Sequence, residues 1–244
     1  MTNETTETTT SLHIYFVLDR SGSMASIATD VIGGFNSFLA AQRAEGSEAL
    51  MTLIQFDSTD PYEVLANATP LAEIPDLGPG TFLPRGGTPL YDAMGHAIAD
   101  ATIRNERLVA EGGAAEEVLC IFFTDGEENQ SREYDQRSIA ALVSKREAEG
   151  WTFVYMGANQ DAYAEGGKVA MRQANTANFI ADEEGAALAF SDLSNSVSRK
   201  MVMMRMSAPT DNLDFFDGDK KADADAATRG SKRSSRRSSR RNAS

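Results

Sequence analysis

The chain has 244 residues, 41% of them apolar, and a formal net charge of −13. That length allows one full domain with tails or two small ones, and about 100 apolar side chains are ample for a core. One cysteine, Cys120, excludes an intrachain disulfide framework and a Cys-only zinc cluster, and two histidines, His13 and His96, leave little for any other zinc site. No run approaches the roughly 18 unbroken apolar residues of a membrane span. The polar start MTNETTETTT has no apolar stretch of secretory type, so the expectation is a cytoplasmic chain with no membrane span. From Lys220 onward nine Lys/Arg stand against Asp223 and Asp225, a surplus of seven positive charges that leaves −20 on the rest. So acidic a body repels phosphate and is expected not to bind nucleic acid, except through the basic end. It is well matched to a cation.

Residues 1–11, rich in Thr, Glu and Asn, read as a disordered lead. Leu12 to Leu18 is a short apolar run that stops at a polar, glycine-containing loop, the pattern of a strand buried on both faces. Ile27, Val31, Phe35, Phe38 and Leu39 then recur at helical spacing, and Gly33-Gly34 within that helix suits close packing against a sheet. Leu50 to Phe56 predicts a second strand and Tyr62 to Leu65 an edge strand. A Pro/Gly-rich loop runs from about Pro70 to Gly87. Thr88 stands as an N-cap before Pro89 at a first helical position, and Leu90, Met94, Ala97 and Ala101 mark one face of the helix that follows.

Val118 to Phe123 is the most apolar run and predicts a central strand, with Cys120 as a small core residue. Ile139, Leu142 and Val143 belong to a helix ending near Gly150. Trp151 to Met156 predicts a strand followed by a loop at Gly157-Ala158-Asn159-Gln160, and Asn178 to Ile180 a last short strand. Phe190, Leu193, Val197, Met201 and Met204 space as an amphipathic helix. Strands alternating with helices predict an α/β, doubly wound domain with a mostly parallel central sheet and helices on both faces. It is expected over 12–206. Residues 207–244 are expected to form a disordered tail, basic and Ser/Arg-rich at its end.

In such a sheet, ligands bind outside the carboxyl ends of the strands. Three polar clusters fall there: Asp19-Arg20-Ser21-Gly22-Ser23, Gly86-Gly87-Thr88 and Thr124-Asp125-Gly126-Glu127-Glu128. They offer carboxylates and hydroxyls without imidazole or thiol, a donor set for a hard divalent cation such as Mg2+ or Mn2+. Mg2+ wants about six oxygens and rarely takes all from protein, which leaves a position for water or a partner's carboxylate. Each cluster has a plainer use. Asp19, Ser21 and Ser23 would also cap a helix, Thr88 would cap the next, and Asp125-Gly126 would make a turn. Thr81 rivals Thr88, but no helix signal follows it directly. Glu127 and Glu128 read as solvated charges, and His96 as a residue of an exposed helix face.

The sequence Asp19-x-Ser21-x-Ser23, then Gly87-Thr88, then Thr124-Asp125-Gly126, resembles the metal-ion-dependent adhesion site (MIDAS) of von Willebrand factor type A (VWA) domains, over about residues 12–205. More narrowly, Gly34-Phe35-Asn36, Ser131-Arg132-Glu133-Tyr134 and Gly157-Ala158-Asn159-Gln160-Asp161-Ala162 resemble stand-alone bacterial and phage proteins of this type. The resemblance implies a Rossmann-like VWA fold in which Asp19, Ser21 and Ser23 surround a Mg2+, with Mn2+ or Ca2+ as alternatives. Thr88 would ligate it directly in one state and through water in another, and Asp125 through a water. The open position would accept a Glu or Asp from a protein partner. In some members the C-terminal helix, here about 185–205, shifts on binding.

No small-molecule substrate is expected. The chain lacks GxxxxGK[ST], GxGxxG and GxSxG patterns. A Mg2+-dependent phosphatase of the haloacid-dehalogenase type is the enzymatic alternative, but it would carry a second aspartate where Ser21 stands. A further alternative is binding of nucleic acid or an anionic surface by the Arg-Arg-Ser-Ser tail, where Ser234, Ser235, Ser238 and Ser239 would also suit a basic-directed kinase.

Overall fold

A computed structural model describes residues 11–158, 162–180, 182–208 and 214–216. Its strands are β1 (Leu12–Asp19), β2 (Leu50–Phe56), β3 (Glu63–Pro70), β4 (Glu117–Thr124), β5 (Thr152–Ala158) and β6 (Thr176–Phe179). Its helices are α1 (Ala28–Ala44), α2 (Leu90–Ala110), α3 (Gln136–Glu147), α4 (Ala162–Lys168) and α5 (Glu183–Arg205). The six strands form one sheet in the order β3-β2-β1-β4-β5-β6, parallel except for the β2–β3 pair. The α/β, doubly wound architecture expected from the sequence is the one observed.

Alternation along each buried strand divides the apolar residues between two cores. Ile14, Phe16 and Leu18 of β1, with Leu119, Ile121 and Phe123 of β4, face the core closed by α1 and α5. Tyr15 and Val17, with Val118, Cys120 and Phe122, face the core closed by α2 and α3. Cys120 is buried as expected, and burial pushes its thiol up. The stretch Gly22–Ala44 is by length and composition apolar enough to cross a membrane, although Asp30 and Asn36 interrupt its apolar run. In the fold its Val31, Phe35, Phe38 and Leu39 are spent on the first core.

Several expectations need correction. Thr88 does not cap α2: the helix starts at Leu90 with Pro89 as its N-cap residue, and its first-turn amides, Tyr91 N–H and Asp92 N–H, donate instead to Glu128 Oε2 (2.9 Å) and Ser131 Oγ (3.1 Å). Ser21 likewise makes no side-chain cap to the 3-10 turn Gly22–Ile27 that precedes α1. β3 runs to Pro70 rather than Leu65, because irregularities in its pairing with β2 and a positive φ at Ala68 let the edge strand continue past a break in register. β5 extends through Gly157 and Ala158, where a loop was expected, and pairs there with β6; Asn159, Gln160 and Asp161 lie outside the described residues. Short α4 has no apolar periodicity to announce it. α3 starts at a reciprocal capping box between Asp135 and Ser138.

The tail expected from residue 207 does not hold at 214–216. Phe215 is buried in the α1/α5 core, its N–H donates to Asn175 Oδ1 (3.1 Å), and Phe216 N–H donates to Ala174 O (3.1 Å). Residues 209–213 and 217–244, which include the basic end, lie outside the described residues.

At the amino end of the sheet, His13 is fully buried, with Nδ1 2.7 Å from Glu116 Oε2 and Nε2 2.9 Å from Thr52 Oγ1. Arg104 grips both Glu116 oxygens at 2.7 Å. Burial would raise the Glu116 carboxyl, but the bonds from His13 and Arg104 bring it down to about 2. This histidine is committed to the fold at the end opposite the polar clusters. His96 is half-buried rather than exposed, set between the rings of Tyr62 and Tyr134 and 3.3 Å from Glu133.

Candidate metal centre

Register brings the first and third clusters together. Leu18 pairs with Phe123, so the next residues, Asp19 and Thr124, stand side by side at the carboxyl ends of the two central strands. Thr124 Oγ1 donates to Asp19 Oδ2 at 2.6 Å, and Ser21 N–H donates to Asp19 Oδ1 at 2.6 Å. Ser21 Oγ lies 3.0 Å from Ser23 Oγ, which donates to Asp125 Oδ1 at 2.7 Å. Four of the five expected residues are thus joined in one chain of contacts.

Thr88 comes close to the same turn. A Cβ on Gly126 would lie 3.3 Å from Thr88 Oγ1 and 3.5 Å from Ser23 Oγ, so both hydroxyls border the same glycine. Its segment is held from two sides. Thr88 N–H donates to Asn129 Oδ1 (3.0 Å) and Asn129 N–H to Thr88 O (3.1 Å). On the other side Gly22 N–H donates to Gly86 O at 3.0 Å. Gly86 has φ +67 and a Cβ there would strike Ser58 Oγ at 2.5 Å, so the tight passage requires glycine.

Asp19 is fully buried, and burial pushes its carboxyl up to about 6 despite the bonds from Thr124 and Ser21, with the charge of Asp125 adding to the rise. Burial raises Asp125 as well, against the bond from Ser23. Two carboxylates so placed favour a cation between them. The donor set fits one. Neighbouring ligands of an octahedral Mg2+ at 2.0–2.1 Å are about 2.9 Å apart, and Ser21 Oγ and Ser23 Oγ are separated by 3.0 Å. Among the described residues no three His, Cys, Asp or Glu side chains are grouped to hold a metal. The set is mixed carboxylate and hydroxyl, the chemistry of a hard cation and not of zinc thiolate or imidazole sites.

Residues beyond the five expected ligands brace the loops and the helices behind them. Glu128 is not a solvated charge: its carboxylate accepts from Tyr91 N (2.9 Å), Gln130 N (2.9 Å), Ser131 N (2.7 Å) and Ser131 Oγ (2.6 Å), fixing the turn after Asp125. Asp92 accepts the amides of Arg132, Glu133 and Tyr134 at 2.8–2.9 Å. Asn36 clamps Leu77 through both its amide atoms. Arg20 and Asp57 form a buried ion pair beside Asp19, with Nη2 to Oδ2 at 2.8 Å. Burial would raise Asp57, but the amides of Asp60 and Thr59 and the guanidiniums of Arg85 and Arg20 hold it below its ordinary value. The rule that strand carboxyl ends carry function points to Asp57, which directly follows β2.

The mostly parallel sheet with helices on both faces is a VWA-type fold, as solved structures show. A von Willebrand factor type A protein from Catenulispora acidiphila superimposes with a TM-score of 0.53 at 12% identity, covering 77% of this chain and 42% of that one. Proximal thread matrix protein 1 from the mussel byssus gives 0.51 at 16% identity, covering 77% of this chain and 46% of that one. The same mussel protein with a zinc-occupied MIDAS motif gives 0.50 at 15% identity, covering 75% and 46%. At such identities the likeness is one of fold, and the chain spans less than half the length of these structures. No family model matches the sequence, and no curated protein does.

Proposed function

We propose that the chain is a metal-dependent protein-interaction module of the adhesion-site type, working as a cytoplasmic binding protein with no catalytic role. Asp19, Ser21, Ser23, Thr88 and Asp125 would hold a Mg2+, with Mn2+ or Ca2+ as alternatives. The observation that carries this reading is the convergence of these side chains from three separate loops on one end of the sheet. The mussel structure with a zinc-occupied MIDAS motif gives the same fold a metal.

A bound divalent cation supplies a positive position able to accept a carboxylate from a partner protein. The residues of this chain prepare that position. Thr124 and the Ser21 amide orient Asp19, Asp125 orients Ser23, and Asn129 holds the Thr88 segment in place. Ser23 is exposed, so the site opens to solvent on that side. An acidic residue would approach there. Neither histidine serves a serine nucleophile: His13 is held by Glu116 and Thr52, and His96 stands by Glu133. That arrangement leaves Ser21 and Ser23 without a histidine base, and Ser21 in the place of a second aspartate speaks against the phosphatase alternative.

Water-proton relaxation of the Mn2+-loaded protein tests the reading. Bound Mn2+ should enhance relaxation through exchangeable water, and millimolar Glu-bearing peptide should reduce the enhancement by displacing that water. The Asp19→Asn chain should show neither effect. Relaxation indifferent to the peptide would contradict an open position for an acidic partner.

A further inference from the structure

Thr88 reaches the site on a different segment from Asp19, Ser21 and Ser23, so the spacing between the two loops needs a device to fix it. The contacts that do so meet at Asp57, fully buried just beyond β2. Its Oδ1 accepts the amides of Thr59 (2.6 Å) and Asp60 (3.0 Å), closing the turn toward β3. Its Oδ2 accepts Arg20 Nε at 2.8 Å and Arg85 Nε at 2.9 Å. One carboxylate oxygen therefore holds a guanidinium from each donor loop. Main-chain bonds run alongside: Arg85 N–H to Arg20 O (2.8 Å), Gly22 N–H to Gly86 O (3.0 Å) and Ser58 N–H to Gly87 O (3.0 Å). Ser58 Oγ accepts the Gly87 amide at 2.9 Å. Arg20 also donates to Gln55 (3.2 Å) and to Glu63.

By charge alone, two guanidiniums beside a cation site oppose cation binding. Here they neutralise buried Asp57 and, through it, join the two loops. We propose that Asp57, acting through Arg20 and Arg85, is a positioning residue of the metal site: it sets the separation between Thr88 and the Asp19–Ser23 loop, and with it the affinity for a divalent cation. This role rests on the metal reading above.

Asp57→Asn would leave two guanidiniums facing an amide and endangers folding. The decisive variant is Arg85→Gln, whose native side chain is 46% exposed. Mn2+ affinity is read from the EPR signal of the free ion. Removing a nearby positive charge should tighten cation binding; the positioning role instead weakens it, by about tenfold, as outer-shell changes do. In a Thr88→Ala background the same substitution should cost less than about twofold, because its effect passes through Thr88. In metal-free protein, amide exchange at Gly87 and Thr88 should speed up while that of β4 stays unchanged. Unchanged or tighter Mn2+ binding by Arg85→Gln, or an equal loss with Thr88→Ala present, overturns the positioning role and leaves the metal reading standing. Absence of Mn2+ binding by the unsubstituted chain overturns the metal reading and this role together.

Discussion

Asp19 is a residue at which folding and the site make opposite demands. A carboxylate removed from water is costly unless paired with a cation, and its protein partners, Thr124 and Ser21, offer only hydroxyls and an amide. An amide side chain would keep an acceptor for Ser21 N–H and present a donor to Thr124 Oγ1. Thr124 would then turn its own proton to Gly126 O, 3.2 Å away. Asp19→Asn should therefore raise the melting temperature of the EDTA-treated protein, by roughly 2–8 °C for a gain of one to two kcal/mol. A fall in melting temperature would show that the carboxylate is needed for folding itself. The position of Asp19, at the polar end of an apolar run, was legible in the sequence. Its cost was not, because that depends on the burial supplied by neighbouring strands.

At the scale of elements, strand and helix order followed from apolar spacing, because strands buried on both faces read as nearly continuous apolar runs. Packing between helices was less legible. The pair Gly33-Gly34 suggested a close approach to the sheet, whereas the approach is to α5 and belongs to one glycine alone. A Cβ on Gly34 would lie 2.2 Å from Phe190 Cδ2, while one on Gly33 meets nothing within 4 Å. Phe190 has little room to yield, since its ring stacks on Phe123 at 4.9 Å and lies 6.4 Å from the parallel ring of Phe16. Ala for Gly in a helix ordinarily stabilises by about 1 kcal/mol, but overpacking costs about 1–3 kcal/mol. Thermal melts should place Gly33→Ala above the unsubstituted chain and Gly34→Ala below it. Equal shifts for the two would mean that α1 and α5 do not pack as described.

For the whole molecule, the sequence separated an acidic body from a basic end and placed three oxygen-bearing loops on one edge of the sheet. It missed what long-range contact alone decides. Phe215 lay in a stretch without periodicity, yet it fills the α1/α5 core. Asp57 stood alone between a strand and a turn, and only the fold reveals two arginines closing on it. The central claim is that the clustered oxygens form a cation site. Calorimetric titration of Mg2+ into the EDTA-treated chain, beside Asp19→Asn, tests it most directly. Saturable binding to one site, abolished by the substitution, is the predicted result. No heat from the unsubstituted chain, or undiminished binding by Asp19→Asn, would contradict it.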